Sequence, residues 1–278
     1  MTVFQGVPKK IYGVLRQNHA ADAVSTAVEQ VSQLGYAVLA GEYDAPELKS
    51  LSDAFDLAHA RYVACYGLER LRKLDEANTM RALLVHGGEQ FLKLALNPVL
   101  QTALRRLIAG TFVLNQQNGI LNPSHQTYNQ GAWHRDLPYQ HFVSSRPLAI
   151  NALFCVDDFT EENGATFVLP ASHKSEEFPS ESYVEKNAVQ VFAKAGSFLL
   201  LDCMVFHSGG PNLSEKPRRG INHVFNIPYF KQQIHLPRNL ESGILTEAEK
   251  AVLGFGTEEP GSIETYLARR QNKVTVLQ

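Results

Sequence analysis

Trp133-His134-Arg135-Asp136 carries an imidazole and a carboxylate two residues apart. In an extended chain that spacing sends both side chains to one face. A neutral imidazole beside a carboxylate is half of a site for a borderline divalent cation. Phe198 to His207 is an apolar stretch that delivers a further histidine at a strand end, with Ser208-Gly209-Gly210 directly after it. Two histidines and one carboxylate, with the opposite coordination face open, form the facial triad of non-haem Fe(II) oxygenases. Arg218 follows on a new alternating stretch. A guanidinium grips a carboxylate through a bidentate fork that lysine cannot reproduce. Arg219 points the opposite way if both lie on a strand.

H-x-D alone is a weak motif, and most of the ten histidines need no special role. His19, His59, His86 and His235 are read as surface or satisfied core residues. His125 and His141 flank the motif and are candidates for lining a pocket. Leu137-Pro138-Tyr139-Gln140-His141-Phe142 is expected at the entrance, where its polar and aromatic mixture, with Asn129 and Gln130, favours a polar metabolite over a bare alkyl chain.

The elements that must hold these groups change character near Gly110. Before it the pattern is mainly helical. Val24, Ala27, Val28, Val31 and Leu34 have helical spacing ended by Gly35, and Tyr36 to Ala40 reads as a strand. Asp44-Ala45-Pro46-Glu47 is a capping-box helix start, with Leu48, Leu51, Phe55, Ala58 and Tyr62 along one face. Residues 67–88 are ambiguous. Gln90 to Leu96 reads as helix, and Asn97-Pro98 starts another. After Gly110 come short alternating stretches at Thr111–Leu114, Ala149–Val156, Ala165–Leu169, Val189–Ala193, Ser197–Leu201 and Ile221–Ile227. Asn115–Asn122 reads as a polar connection. Such spacing predicts an all-β core, sandwich or jelly roll. Beyond Lys231 short helices are expected near Leu245–Glu249 and Ser262–Arg270.

Composition narrows the class. The chain has 278 residues, is 44% hydrophobic and 19% charged, and has a formal charge of −2, enough for a sizeable core and no support for nucleic-acid or membrane-surface binding. No apolar run approaches a bilayer span and no leader pattern is seen, so the expectation is a cytoplasmic protein. Cys65, Cys155 and Cys203 have no zinc-like spacing and read as reduced thiols.

The motifs together resemble the phytanoyl-CoA dioxygenase family. The likeness runs from Trp133 to Tyr229: His134-Arg135-Asp136, then the block from Asp157 to Lys174, in which Asp158-Phe159-Thr160-Glu161-Glu162-Asn163-Gly164 leads to Pro170-Ala171-Ser172-His173-Lys174, then His207-Ser208-Gly209-Gly210-Pro211-Asn212 and Arg218-Arg219. The resemblance implies a mostly β fold with added helices: a double-stranded β-helix (jelly-roll) core flanked by N-terminal helices. It implies a single oxygenase domain over 1–278, with a mainly helical part at 1–110, the β core at 111–230, and a lid or interface segment at 231–278. It assigns His134, Asp136 and His207 to Fe(II) and Arg218 to the distal carboxylate of the cosubstrate 2-oxoglutarate. Ser208 and Asn151 are weaker cosubstrate contacts, and His173 pins the turn after Pro170. With O2 as co-reactant, the implied reaction hydroxylates a small-molecule metabolite and releases succinate and CO2. Because Asp136 is present, the vacancy used by halogenating relatives is not expected. Two other readings stay open: a cupin-like metal protein with non-oxidative chemistry, and a non-catalytic ligand-binding relative. Homo-oligomerisation is also left open.

Overall fold

The computed structural model describes residue 7 and residues 9–137 and 142–276. Helix α1 (Ala23–Leu34) starts where the Asp22 carboxylate accepts from the Ser25 N–H at 2.6 Å, and it buries Ala27 and Val31. Gly35 ends it in the left-handed region (φ 84°), where a side chain would also strike the His173 ring. Strand β1 (Tyr36–Ala40) follows at once. Helix α2 (Ala45–Tyr66) opens on the expected capping box, Asp44 and Glu47 exchanging bonds of 2.8 and 2.9 Å, and buries Leu51, Phe55, Ala58 and Tyr62. The ambiguous stretch resolves into α3 (Leu68–Lys73), β2 (Thr79–Met80) and α4 (Leu83–Gly87). Then come α5 (Glu89–Ala95) and α6 (Pro98–Leu107), the latter capped by Asn97.

The β core continues with β3 (Val113–Asn122), β4 (Ala149–Cys155) and β5 (Phe167–Val168). Helix α7 (Glu181–Asn187) precedes β6 (Val189–Gln190), β7 (Ser197–Asp202), β8 (His207–Ser208) and β9 (Arg218–Asn226). Helices α8 (Glu247–Leu253) and α9 (Ile263–Val276) close the described chain. Six strands form one antiparallel sheet in the order β1-β7-β4-β9-β3-β2, and three form a second in the order β6-β5-β8.

Strand alternation sorts the side chains of the larger sheet. Ile150, Ala152 and Phe154 of β4, Phe198 and Leu200 of β7, and Ile221 and Phe225 of β9 join the helices in one apolar core. Their neighbours Leu199 and Leu201 turn the other way and meet Val168, Val191 and Val205 in the space between the sheets. The architecture is therefore a jelly roll with helices packed on the outside of its larger sheet, as expected. Strands β1 and β2 come from the mainly helical part yet lie in that same sheet.

Asn115–Asn122 departs from its reading as a connection, because it belongs to the ten-residue strand β3. Its polarity has a structural cause. Gln116, Asn118 and Ile120 face a polar cavity, while Gln117, pointing outward, donates to the Phe91 carbonyl at 2.7 Å. The register slips by one residue between Leu114 and Gln116, a bulge that turns both Asn115 and Gln116 toward that cavity. Among the described residues no helix is long and apolar enough to cross a membrane.

Candidate metal centre and cosubstrate pocket

His134 and His207 face each other across an isolated antiparallel bridge, His134 N–H to His207 C=O at 3.0 Å and the reverse at 3.1 Å. Asp136 is tied in by its own N–H, which donates to the Cys203 carbonyl at 3.1 Å. One ligand atom from each of His134, Asp136 and His207 lies within 4.8 Å of the others, and this is the metal-competent cluster found among the described residues. Asp136 Oδ2 is 3.7 Å from His207 Nε2.

The two rings are set in the same way. His134 Nδ1 lies 2.7 Å from the Ala132 carbonyl, and His207 Nδ1 lies 3.1 Å from that of Val205. A carbonyl can only accept, so each Nδ1 carries the proton and each Nε2 presents its lone pair to the metal position. Burial pulls the His207 imidazole below its ordinary value, against the opposing pull of Asp136, which favours the neutral form a ligand needs. Asn151 donates from Nδ2 to Asp136 Oδ2 at 2.8 Å and fixes the carboxylate.

Arg135, between the two ligands in sequence, points the opposite way. Its guanidinium donates to the carbonyls of Met204 (2.7 Å), Glu176 (3.0 Å) and Ser172 (3.1 Å), and also to that of Ser175. It stacks on Phe206 at 3.9 Å. One side chain thus binds the motif to the 172–176 turn and to the approach to His207. His173 is buried in that turn against Gly35.

Arg218 lies deeper in the same cavity. It shares the lining with Tyr128, His134, Asn151, Thr166 and His207. Only 5% exposed, it stacks at 3.8 Å on the Phe159 ring, and its Nε has no partner. Tyr128 is its hydrogen-bonding neighbour, and among the described residues no carboxylate forms an ion pair with it. Desolvation works against this charge, so a buried unpaired guanidinium is a site prepared for an anion. Arg219 does point out of the cavity: it is bound to Asp157 at 2.6 Å and Asp56 at 2.8 Å on the helix side.

Other expected residues fall in different places. The Ser208 hydroxyl is turned to the Gly131 carbonyl at 2.9 Å and does not line the cavity. Asn151 does line it, but its amide N–H is committed to Asp136 while its Oδ1 is buried without a partner. His125 is half exposed beside Glu215, away from the cavity lining. Pro138 to His141, expected at the entrance, lie outside the described residues. Tyr128, Thr166 and Asn222 line the cavity without having been singled out by their spacing. Asn222 could have been found by parity, two pairs along β9 from Arg218.

A jelly roll that holds two imidazoles and one carboxylate beside a buried free guanidinium defines a non-haem iron oxygenase of the 2-oxoglutarate-dependent class. The donor set, with neutral Nε2 atoms and an open side, fits Fe(II), and the unpaired Arg218 fits a dicarboxylate. The phytanoyl-CoA dioxygenase (PhyH) family model matches residues 31–220, and the chain belongs to that family. It is similar to the uncharacterized protein Rv1501 of Mycobacterium tuberculosis, 32% identical over 268 residues and 94% of each chain. It is also similar to the dioxygenase andF of Emericella variicolor, 32% identical over 132 residues, 45% of this chain and 46% of that one. In fold it is similar to EctD from S. alaskensis in its apoform, with a TM-score of 0.61, 20% identity, and 88% and 91% of the two chains covered.

Proposed function

We propose that this chain hydroxylates a small-molecule metabolite, with His134, Asp136 and His207 holding Fe(II) and Arg218 holding the distal carboxylate of 2-oxoglutarate. When bound, the iron and 2-oxoglutarate supply oxygen activation coupled to decarboxylation, with succinate and CO2 as products. The observation that carries the reading is Arg218, a buried cation without an anion, placed in one cavity with the two histidines of the triad. A metal-binding protein acting non-oxidatively on an uncharged substrate would have no use for that cation.

The residues divide the work. The Ala132 and Val205 carbonyls hold both imidazoles in the Nε2-ligating tautomer. Asn151 keeps Asp136 from rotating. Arg218, rigid on Phe159, orients the cosubstrate by its far end, and the Tyr128 hydroxyl lies beside that fork. Leu153 and Ile120 supply apolar wall and restrict water near the metal position. EctD from the same organism as above has been crystallised with 2-oxoglutarate and 5-hydroxyectoine, which supports a small-molecule substrate for this fold. A cytoplasmic setting belongs to this reading and is supported by three unpaired cysteines.

The test is 2-oxoglutarate consumption by purified protein supplied with Fe(II), alongside a metabolite screen for products one oxygen heavier. We expect slow succinate formation without substrate and its loss in His134→Ala and Asp136→Ala. Full turnover by either variant would overturn the assignment.

A further inference from the structure

Outside the metal cluster the cavity widens into an open compartment of about 430 Å³ that includes His134 and Asp136 in its lining. Its wall is dominated by one functional group. Asn115, Gln116, Asn118, Gln130, Asn222 and Gln233 all present primary amides to it. They come from different parts of the chain. The β3 bulge supplies two adjacent ones, β9 supplies Asn222, and the segment after β9 supplies Gln233. That last segment is fastened to the bulge, with Gln233 N–H donating to the Asn115 carbonyl at 3.3 Å and Asn115 Nδ2 donating to the Lys231 carbonyl at 2.7 Å.

The amides are only partly used by the protein. Gln116 donates to Asn222 Oδ1 at 3.2 Å, and Asn118 donates to Gln233 Oε1 at 3.0 Å while accepting from Ala82 N–H at 3.1 Å. Among the described residues this leaves the amide N–H groups of Asn222 and Gln233, the carbonyl oxygen of Gln116 and both ends of Gln130 without protein partners. Donors and acceptors are therefore interleaved over the wall.

The cations on the same wall are engaged or solvated. Arg81 is held bidentately by Glu76 at 2.6 and 2.8 Å, and Lys231 is an exposed, water-screened side chain 3.5 Å from Glu259. Arg135 spends its donors on backbone carbonyls. An anionic substrate would call for buried, unengaged cations and an acyl chain for a continuous apolar wall, and the described residues of this lining supply neither. A hydroxyl both donates and accepts, which is what an interleaved amide surface matches. Phe230 adds one apolar face for the C–H side of a ring.

We infer that this compartment receives a neutral polyhydroxylated ring, a sugar or cyclitol unit, as the part of the substrate presented to the metal; the inference rests on the oxygenase reading for the reaction but not for the binding. The probes are methyl glycosides of the common hexoses and 6-deoxyhexoses and myo-inositol, set against octanoyl-coenzyme A and glycylglycine. Saturation-transfer NMR on the purified protein reads binding, and succinate release with Fe(II) reads coupling. We expect saturation transfer to at least one polyol and none to octanoyl-coenzyme A, with that polyol raising succinate release at least tenfold over the substrate-free rate. Gln233→Leu, and independently Gln130→Leu should the first variant not fold, should raise the half-saturating concentration of the polyol at least tenfold. Polyol binding without 2-oxoglutarate consumption supports the compartment's specificity and removes the oxygenase reading. No saturation transfer to any polyol overturns the inference, whatever the 2-oxoglutarate turnover.

Discussion

At the scale of single residues, two neighbours of the triad carry consequences that the ligands alone do not. Asn151 was expected beside the cosubstrate; its amide instead donates to Asp136, and sequence parity could place the residue on the inner face but not choose its partner. Replacing it with Leu keeps the size and frees the carboxylate. We expect metal dissociation constants to rise roughly tenfold or more in a Mn(II) titration, the scale seen when supporting partners of a metal ligand are removed; unchanged affinity would show that Asp136 needs no support. Arg218 and Arg219 offer an internal comparison because they are adjacent and face opposite ways. Arg218→Ala should raise the half-saturating 2-oxoglutarate concentration at least tenfold. Arg219→Ala should barely move that constant but lower the thermal midpoint, since it loses Asp157 and Asp56. The reverse ranking would mean that the cosubstrate enters from the other side of β9.

At the scale of elements, the legible parts were those set by local rules. The α2 capping box, the Gly35 stop and strand β1 follow from residue chemistry over a few positions, and His134, Asp136, His207 and Arg218 could be placed by period and by family likeness together. Strand β3 was not legible beyond Leu114. Its inner side chains face a polar cavity and its outward Gln117 is satisfied by a helix carbonyl, so the alternation that marks a strand is erased. The Ser208 hydroxyl was likewise out of reach, because the carbonyl it meets belongs to Gly131, 77 positions earlier. Arg135 shows what holds the pieces in register. It is 6% exposed and joins the motif strand to the 172–176 turn. Arg135→Leu would leave those carbonyls without their donor, and we expect a loss of about 3 kcal/mol in denaturant unfolding. A loss under about 0.5 kcal/mol would make the clamp incidental.

At the scale of the whole molecule, buried titratable groups couple folding to pH. His223 is fully buried in β9, with Nδ1 at 3.0 Å from the Ala152 carbonyl and Nε2 at 2.9 Å from Gln117 Nε2. Nδ1 therefore donates, and Nε2 accepts from an amide that also donates to Phe91. A second proton on the ring would face a donor. Burial pushes this imidazole down to about 4. A folded value below the unfolded one means that the stability is fully present above about pH 6.5 and is lost as the pH falls toward 4. By pH 4.5 the stability lost through His223 is roughly 2–3 kcal/mol. Asp202 runs the other way: burial raises its carboxyl to about 6, so its contribution is present at low pH and is lost as the pH rises through that value. The two oppose each other between about pH 4 and 6. The comparison that isolates the histidine is His223→Gln against the parent. The thermal midpoint of the variant should fall less between pH 6.5 and 4.5, and parallel curves would remove His223 as the cause.

The bulge in β3 bears on how such a catalyst could be altered. The groups proposed to hold the metal and the cosubstrate lie on the motif loop, on β8 and at the start of β9. Much of the outer wall is instead made by two continuous stretches, 115–118 and 230–233, tied to each other by one backbone bond and by the Asn115 side chain. They form a cassette. Exchanged together for the matching pair from a relative, they would carry a substrate preference across while leaving the machinery behind them in place, whereas either stretch moved alone would arrive without the carbonyl or amide that seats it.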